Sequence, residues 1–156
     1  MNGNIEAIEV VAISGKDNIL HILNQFSDTL FSLSRGADFR SDMAKKFSQN
    51  AVVLVLYDLY QRAAAFAAFY CNDSEKRIAY LSMIAVKAGY KRLGYGTALL
   101  NKVCEIAGHC GMQKLRLEVA KENATAIRFY QRAGFRQFME NSESLFLEIS
   151  LDERVK

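Results

Sequence analysis

The chain has 156 residues, which suits a single domain and is long enough to bury roughly two-thirds of its unfolded surface, so folding does not call for disulfides or a structural metal. Hydrophobic residues make up 51% and charged residues 24%, which excludes a disordered or fibrous chain. Twenty Lys or Arg against seventeen Asp or Glu leave +3, too little by itself to mark a nucleic-acid or membrane-surface protein.

In chain order, residues 5–13 (IEAIEVVAI) read as a strand. Residues 17–32 read as an amphipathic helix with Ile19, Ile22, Leu23, Phe26 and Leu30 on one face, broken by Ser34, Arg35 and Gly36. A second, short helix is expected over 38–49, carrying Phe39, Met43, Ala44 and Phe47 inward. Residues 51–57 (AVVLVLY) are apolar on both faces, which suits a strand covered on both sides. Residues 58–61 turn the chain into a hairpin partner over 62–70, although its alanines are poor strand formers.

Asn72, Asp73 and Ser74 mark the next turn, and 77–86 is a third long strand. A glycine-containing loop over 87–93 leads into a helix from Gly94 to about His109, with Leu99, Leu100, Val103 and Ala107 in register. Gly111 ends that helix, and 114–120 alternates as a strand: Leu115, Leu117 and Val119 face one way, Arg116 and Glu118 the other. Asn123 is a good N-cap for a helix over 124–133, and Gly134 a good residue to close it. Residues 135–138 and 144–151 read as a final hairpin. The order β-α-α-β-β-β-α-β-α-β-β describes an α/β (α+β) fold whose central sheet has mixed strand directions.

There is no proline, where ordinary usage would give roughly eight, so turns rest on Gly, Asn, Asp and Ser. The three cysteines, Cys71, Cys104 and Cys110, are odd in number and lack ligand spacing, which argues against zinc and against a disulfide framework; they read as buried or incidental thiols. Residues 1–4 (MNGN) lack a leader pattern and no apolar run approaches the ~18 residues of a membrane span, so a soluble cytoplasmic protein is the expectation. The charge is unevenly spread. Residues 87–136 hold ten Lys or Arg against three acids, a local +7 that leaves −4 elsewhere and asks for an anionic partner in the second half.

The strongest local signal lies where the strand ending at Val86 meets Gly89-Tyr90-Lys91-Arg92-Leu93 and a helix opening Gly94-Tyr95-Gly96-Thr97. Glycines at a strand-to-helix turn let backbone approach a ligand, and the first N–H groups of a helix favour an anion. Lys91 and Arg92 add two cations, so a pyrophosphate-bearing ligand fits. A dinucleotide fingerprint is excluded because its third glycine position is Leu99, and a nucleotide P-loop because G-K-[ST] is absent. The plainer alternative is a tight turn with two solvated cations.

Downstream lies Asn123-Ala-Thr-Ala126-Ile-Arg-Phe129-Tyr130-Gln-Arg-Ala-Gly134-Phe135, in which Ala126, Ile127 and Tyr130 share a helical face. Together, V-x-x-x-Y-K-R-L-G-Y-G and N-x-x-A-x-x-F-Y-x-x-x-G-F resemble the GNAT superfamily of acetyl-CoA-dependent N-acetyltransferases. The likeness is strong from about 78 to 136 and topological before that, and it implies the GNAT fold of about seven strands flanked by about four helices. The family's pyrophosphate loop, [QR]-x-x-G-x-[GA], is matched by Lys91, Gly94 and Gly96, with Lys replacing Gln or Arg as a point charge. The resemblance implies that Arg92, Leu93, Tyr95 and Thr97 join them around acetyl-CoA. It further implies that the backbone of Ile84, Ala85 and Val86 pairs with the pantetheine arm, that Asn123 contacts the cofactor, and that Tyr130 lies near its sulfur. No metal is implied.

Attack of an amine on a thioester needs the amine neutral and the leaving thiolate stabilised. An alkylammonium near pKa 10.4 is mostly protonated at neutral pH, so a base or a proton-carrying water helps. Glu118 is the best candidate base; a pair with Arg116, or a solvated strand face, is the plainer alternative. Its L-E-V-x-x-x-N context also resembles the ribosomal-protein-alanine N-acetyltransferases, in which the matching glutamate is base and the matching tyrosine acid. A free phenol is a weaker acid than a thiol by roughly 2 kcal/mol, so for Tyr130 a hydrogen bond to the thiolate is the safer assignment; a packed ring with a solvated hydroxyl is the alternative.

The reading is therefore direct acetyl transfer to a primary amine, without a covalent enzyme intermediate, aided by an oxyanion donor near Met83 or Ile84. His21 and His109 read as structural, Tyr80 and Ser82 as candidates to line the acceptor pocket, and Arg35, Asp38 and Arg40 as belonging to the region that shapes it. A small-molecule or protein amine would be the acceptor: an N-terminal amine, a lysine, an amino sugar and a polyamine all fit. Neither nucleic acid nor membrane is expected as a partner, and a monomer or homodimer is. The rivals are a catalytically silent CoA-binding sensor or partner-binding module, and a nucleic-acid binder using the basic half. Finally, the family often has a proline shortly before the loop where this chain has Ala88-Gly89, so looser backbone is expected there.

Overall fold

Period-two alternation and helical periodicity sort the chain into the elements expected of it. The computed structural model describes residues 9–152, apart from the side chain of Phe31; the expected strand residues 5–8, and residues 1–4 before them, lie outside the described residues. The strands are β1 (Glu9–Ile13), β2 (Val52–Tyr57), β3 (Ala63–Tyr70), β4 (Ile78–Val86), β5 (Lys114–Ala120), β6 (Arg136–Glu140) and β7 (Ser144–Ser150). The helices are α1 (Lys16–Gln25), α2 (Ala37–Asn50), α3 (Tyr95–His109) and α4 (Ala124–Arg132), with 3-10 turns at Phe31–Arg35 and Ala88–Tyr90. The strands form a seven-stranded mixed sheet in the order β1-β2-β3-β4-β5-β7-β6. β4 and β5 run parallel, while β1 with β2, β2 with β3, β5 with β7 and β6 with β7 run antiparallel.

Close contacts divide the described residues into two units, 9–69 with 83–103, and 70–82 with 104–152. In the first, β2 and β3 are buried through Val53–Leu56 and 63–69. The alanines of β3 are explained by pairing: Val53 lies opposite Ala68, Leu54 opposite Ala67 and Leu56 opposite Ala65, so small side chains face large ones and burial overrides weak strand propensity. The helix expected over 17–32 is shorter than its hydrophobic stripe. It ends at Gln25, with Phe26 as the C-cap at φ −108°. Ser27, Asp28 and Thr29 follow, side chains that compete for backbone hydrogen bonds, and Thr29 N–H bonds Phe26 O at 3.0 Å in a tight turn. Phe26 still reaches the core, edge-on to Phe66 at 4.8 Å.

Arg40, on α2, is a structural tie. Its Nε donates to Asn24 Oδ1 at 2.7 Å and a terminal nitrogen donates to Leu33 O at 2.8 Å, which fastens the 3-10 turn between α1 and α2. No helix among the described residues is long and apolar enough to cross a membrane.

In the second unit, β5 keeps its alternation, with Leu115, Leu117 and Val119 buried. Its register with β4 ends at Tyr80 opposite Arg116, whereas with β7 it continues to Ala120 opposite Ser144. Gly134 closes α4 at φ +105°, and a Cβ there would lie 3.2 Å from Ile149 Cδ1. Gly134→Ala therefore combines a disfavoured backbone with a core clash and is expected to cost roughly 1 to 3 kcal/mol. Thermal unfolding should show a Tm lower by roughly 3 to 10 °C; an unchanged Tm would show that neither the backbone nor Ile149 resists the added methyl group.

Candidate functional site

In the first unit the predicted strand-turn-helix is present. Ala85 is buried and Ile84 and Val86 are half-buried at the end of β4, and Lys87 N–H continues the sheet by donating to Ala64 O at 2.9 Å. The chain then makes the 3-10 turn, the Lys91–Gly94 turn and α3. Arg92 (φ +69°) and Gly94 (φ +81°) both take the left-handed conformation. A left-handed arginine is uncommon, and alternating backbone hands of this kind turn successive N–H groups toward one side, a concavity that suits an anion. Ala98 N–H bonds Gly94 O at 3.0 Å, so the N–H groups of Tyr95, Gly96 and Thr97 have no partner within α3. Lys91, Arg92, Leu93, Gly94 and Thr97 are exposed. Three backbone N–H groups without a helical partner thus lie at the N-terminus of α3, directly after two exposed cations, Lys91 and Arg92.

The approach to this loop is tethered by a residue that sequence reasoning passed over. Asp58, in the β2–β3 turn, accepts hydrogen bonds from Tyr60 N–H at 2.8 Å, Arg62 N–H at 2.9 Å and Arg62 Nε at 3.0 Å, and also from the Tyr90 hydroxyl. Its side chain is only 7% exposed. The Tyr90 hydroxyl foremost, and then the Arg62 and Tyr60 amides, hold the Asp58 carboxyl down to about 2 against the opposing effect of burial. The Tyr90 ring stacks on Tyr95 at 5.8 Å, carrying the tether to the first residue of α3. The looser backbone expected at Ala88-Gly89 thus meets a substitute for the missing ring constraint. The signal was in the sequence as an Asp opening a turn, but its partner is 32 residues away.

Tyr90→Phe removes only the hydroxyl donor. It is expected to raise KM for an anionic ligand of this loop roughly threefold to tenfold with little change in kcat, as measured by initial rates. Because the Asp58 pKa lies below its usual value, the tether contributes stability above about pH 4 and loses it as pH falls toward 2.

In the second unit, Asn123 is the N-cap of α4, its Oδ1 accepting from Ala126 N–H at 3.1 Å, which leaves the exposed amide nitrogen free to donate. Tyr130, on the buried side of α4, is 8% exposed, its ring edge-on to Phe135 at 5.6 Å and Phe129 at 5.3 Å. That burial pushes its phenol up to about 12. Glu118 projects from the exposed face of β5 and accepts from the Ser144 hydroxyl at 3.3 Å. It does not pair with Arg116, which bonds Glu148 at 2.8 Å and lies 4.3 Å over the Phe138 ring. Tyr80 lies near enough that the Glu118 charge, after burial, helps raise its phenol. Tyr80, Glu118 and Ser144 thus gather three proton-handling groups, Ser144 being the member that sequence reasoning missed.

The other candidates separate. Ser82 is half-buried; His21 and His109 are exposed, the latter in the last turn of α3, where a cation suits the helix dipole. Arg35 lies 4.8 Å over Phe39, Asp38 is in the first turn of α2, and Arg40 is occupied as described. Among the described residues no three His, Cys, Asp or Glu side chains gather as a metal site.

Residues 18–135 match the acetyltransferase (GNAT) family model. An N-alpha-acetyltransferase 50 of Danio rerio is 34% identical over 79 residues, 50% of this chain and 46% of that protein. The chain spans less than half the length of the curated relatives it matches first, 35% in the other case. In fold, the chain is similar to the ribosomal-protein-S18-alanine N-acetyltransferase of Escherichia coli, with a TM-score of 0.76, 21% identity and coverage of 92% and 94%. It is also similar to the PaiA N-acetyltransferase of Thermoplasma acidophilum in complex with coenzyme A, with a TM-score of 0.70, 15% identity and coverage of 92% and 98%.

Proposed function

We propose that this chain, which belongs to the acetyltransferase (GNAT) family, transfers the acetyl group of acetyl-CoA directly to a primary amine. The observation that carries the proposal is the loop at 91–97, in which left-handed Arg92 and Gly94 and the exposed cations Lys91 and Arg92 lie at the open N-terminus of α3 in a chain of this family. Those donors suit a pyrophosphate, and in this reading Lys91, Arg92, Leu93, Gly94, Tyr95, Gly96 and Thr97 hold that part of acetyl-CoA. The backbone of Ile84, Ala85 and Val86 takes the pantetheine arm, and the free amide nitrogen of Asn123 donates to the cofactor.

The chemistry then needs two protein groups. Glu118 takes the proton of the incoming ammonium, directly or through water, while the Ser144 hydroxyl orients its carboxylate. Tyr130 donates a hydrogen bond to the departing thiolate. Its raised pKa supports donation rather than complete proton transfer. Tyr80, exposed beside Glu118, forms part of the acceptor's surroundings.

Among acceptors, a peptide α-amine stands first, because an N-alpha-acetyltransferase is among the relatives and shares 34% identity over half of this chain. The test is acetyl-CoA turnover across a panel of amines: short peptides with free N-termini, N-blocked lysine peptides, polyamines and amino sugars, with product identified by mass. Acetylated α-amine is the expected product. Exclusive acetylation of a lysine, polyamine or sugar would overturn the acceptor class. Tight acetyl-CoA binding with no product from any amine would favour the catalytically silent sensor instead.

A further inference from the structure

Two of the three cysteines lie together although 39 residues separate them. Cys71 directly follows β3 and Cys110 directly follows α3. The Cys71 S–H donates to Cys110 Sγ at 3.4 Å. Both neighbouring segments are fastened. Arg77 N–H bonds Asp73 O at 2.9 Å in the turn after Cys71, and Arg77 Nε donates to Gly111 O at 2.7 Å, beside Cys110. Gln113 N–H returns a bond to Arg77 O at 2.7 Å, and Cys110 N–H bonds Ile106 O at 2.9 Å. The two sulfurs therefore meet between anchored backbones. A disulfide holds its sulfurs about 2 Å apart, so closure needs a shift of little more than about 1 Å.

We propose that Cys71 and Cys110 are a modification site, forming a reversible intramolecular disulfide with a low-molecular-mass disulfide of the glutathione class as oxidant. Cys110 is exposed and meets the reagent first. Its thiolate attacks one sulfur of the small disulfide, the S–S bond breaks, and one small thiolate leaves. The sulfur of Cys71 then attacks Cys110 Sγ in the mixed disulfide. The Cys71–Cys110 bond forms, the second small thiolate is expelled, and the Cys71 proton is taken up as it leaves. Two protein thiols are oxidised and one small disulfide is reduced to two thiols.

The half-buried thiol of Cys71, pushed up to about 11 by burial and then by its bond to Cys110, suits the resolving step rather than the first attack. Cys104 is 2% exposed and keeps its thiol, which accounts for the odd count. The fold holds with all three cysteines as free thiols, so the bond is not part of a disulfide framework; proximity in space is what makes the pair reactive.

The test treats the full chain with oxidised glutathione, blocks remaining thiols by alkylation in denaturant, and measures intact mass and tryptic peptides. The expected result is a monomer lighter by about 2 Da before alkylation, with one alkylated cysteine instead of three, reversed by dithiothreitol. Peptide 63–76, holding Cys71, should be linked to peptide 103–114, which holds both Cys104 and Cys110. Cys104→Ser should keep the link, and Cys71→Ser or Cys110→Ser should lose it. Three alkylated cysteines, a persistent mixed disulfide, chain-to-chain dimers, or a link abolished by Cys104→Ser would each overturn the proposal. None of these readouts depends on acetyl transfer.

Discussion

Tyr130→Phe is expected to lower kcat roughly 10- to 100-fold while acetyl-CoA binding stays within about twofold, because only a hydrogen bond made to developing charge is removed. The ring is enclosed by Phe129 and Phe135, and Phe fills the same space, so the fold should be unaffected. Burial holds the phenol at about 12. Full proton transfer to a thiolate of pKa near 8.5 would then be uphill by about 5 kcal/mol, against about 2 kcal/mol for a free phenol. The wild-type kcat should accordingly show no loss from phenol ionisation below about pH 11. A substitution that leaves kcat unchanged would remove Tyr130 from the mechanism. A loss of acetyl-CoA affinity equal to the loss of turnover would make it a binding residue. The raised value also bears on the fold: unfolded phenols ionise near pH 10, so the folded state loses stability as pH rises from there toward 12.

The second large effect is expected at Glu118. Glu118→Gln keeps the shape and still accepts from Ser144, but it cannot take up a proton. At neutral pH, kcat/KM for the amine should fall roughly 100-fold, within the range usual for a lost general base. The pH profile carries the sharper signature. Without a base the variant depends on amine that is already neutral, and for a peptide α-amine that fraction rises about tenfold per pH unit only until about pH 8. The variant should therefore approach wild type as pH rises, and a constant ratio across pH would show that Glu118 positions rather than deprotonates.

Most of the fold was legible because most of it is periodic. The alternation of 114–120 became β5 with Leu115, Leu117 and Val119 buried, and the Asn123 cap and Gly134 closure bracket α4 as expected. The end of α1 was not legible: Leu30 continues the hydrophobic stripe, yet the polar run 27–29 stops the helix at Gln25. Within the candidate site, the loop at 91–97 could be read because its residues are neighbours in sequence. Asp58 with Tyr90, Glu118 with Ser144, Arg116 with Glu148 and Cys71 with Cys110 could not, since each pair is distant in sequence and joined only by how the elements pack and pair. Periodicity shows which way a side chain points, whereas partner choice depends on which distant segment lies alongside.

The alanines of β3 bear on how the molecule assembles. Alanine is the strongest helix former, and 63–68 holds five of them around Phe66. In the unfolded chain that segment leans toward helix, so its native strand state is imposed by its neighbours, a local conflict with the final topology. The turn gathered on Asp58 answers it: joining β2 to β3 across so few residues makes the loop closure short. The strongly β-forming 52–57 can then recruit its reluctant partner early, and the hairpin rather than the individual strand is the unit that commits to the sheet.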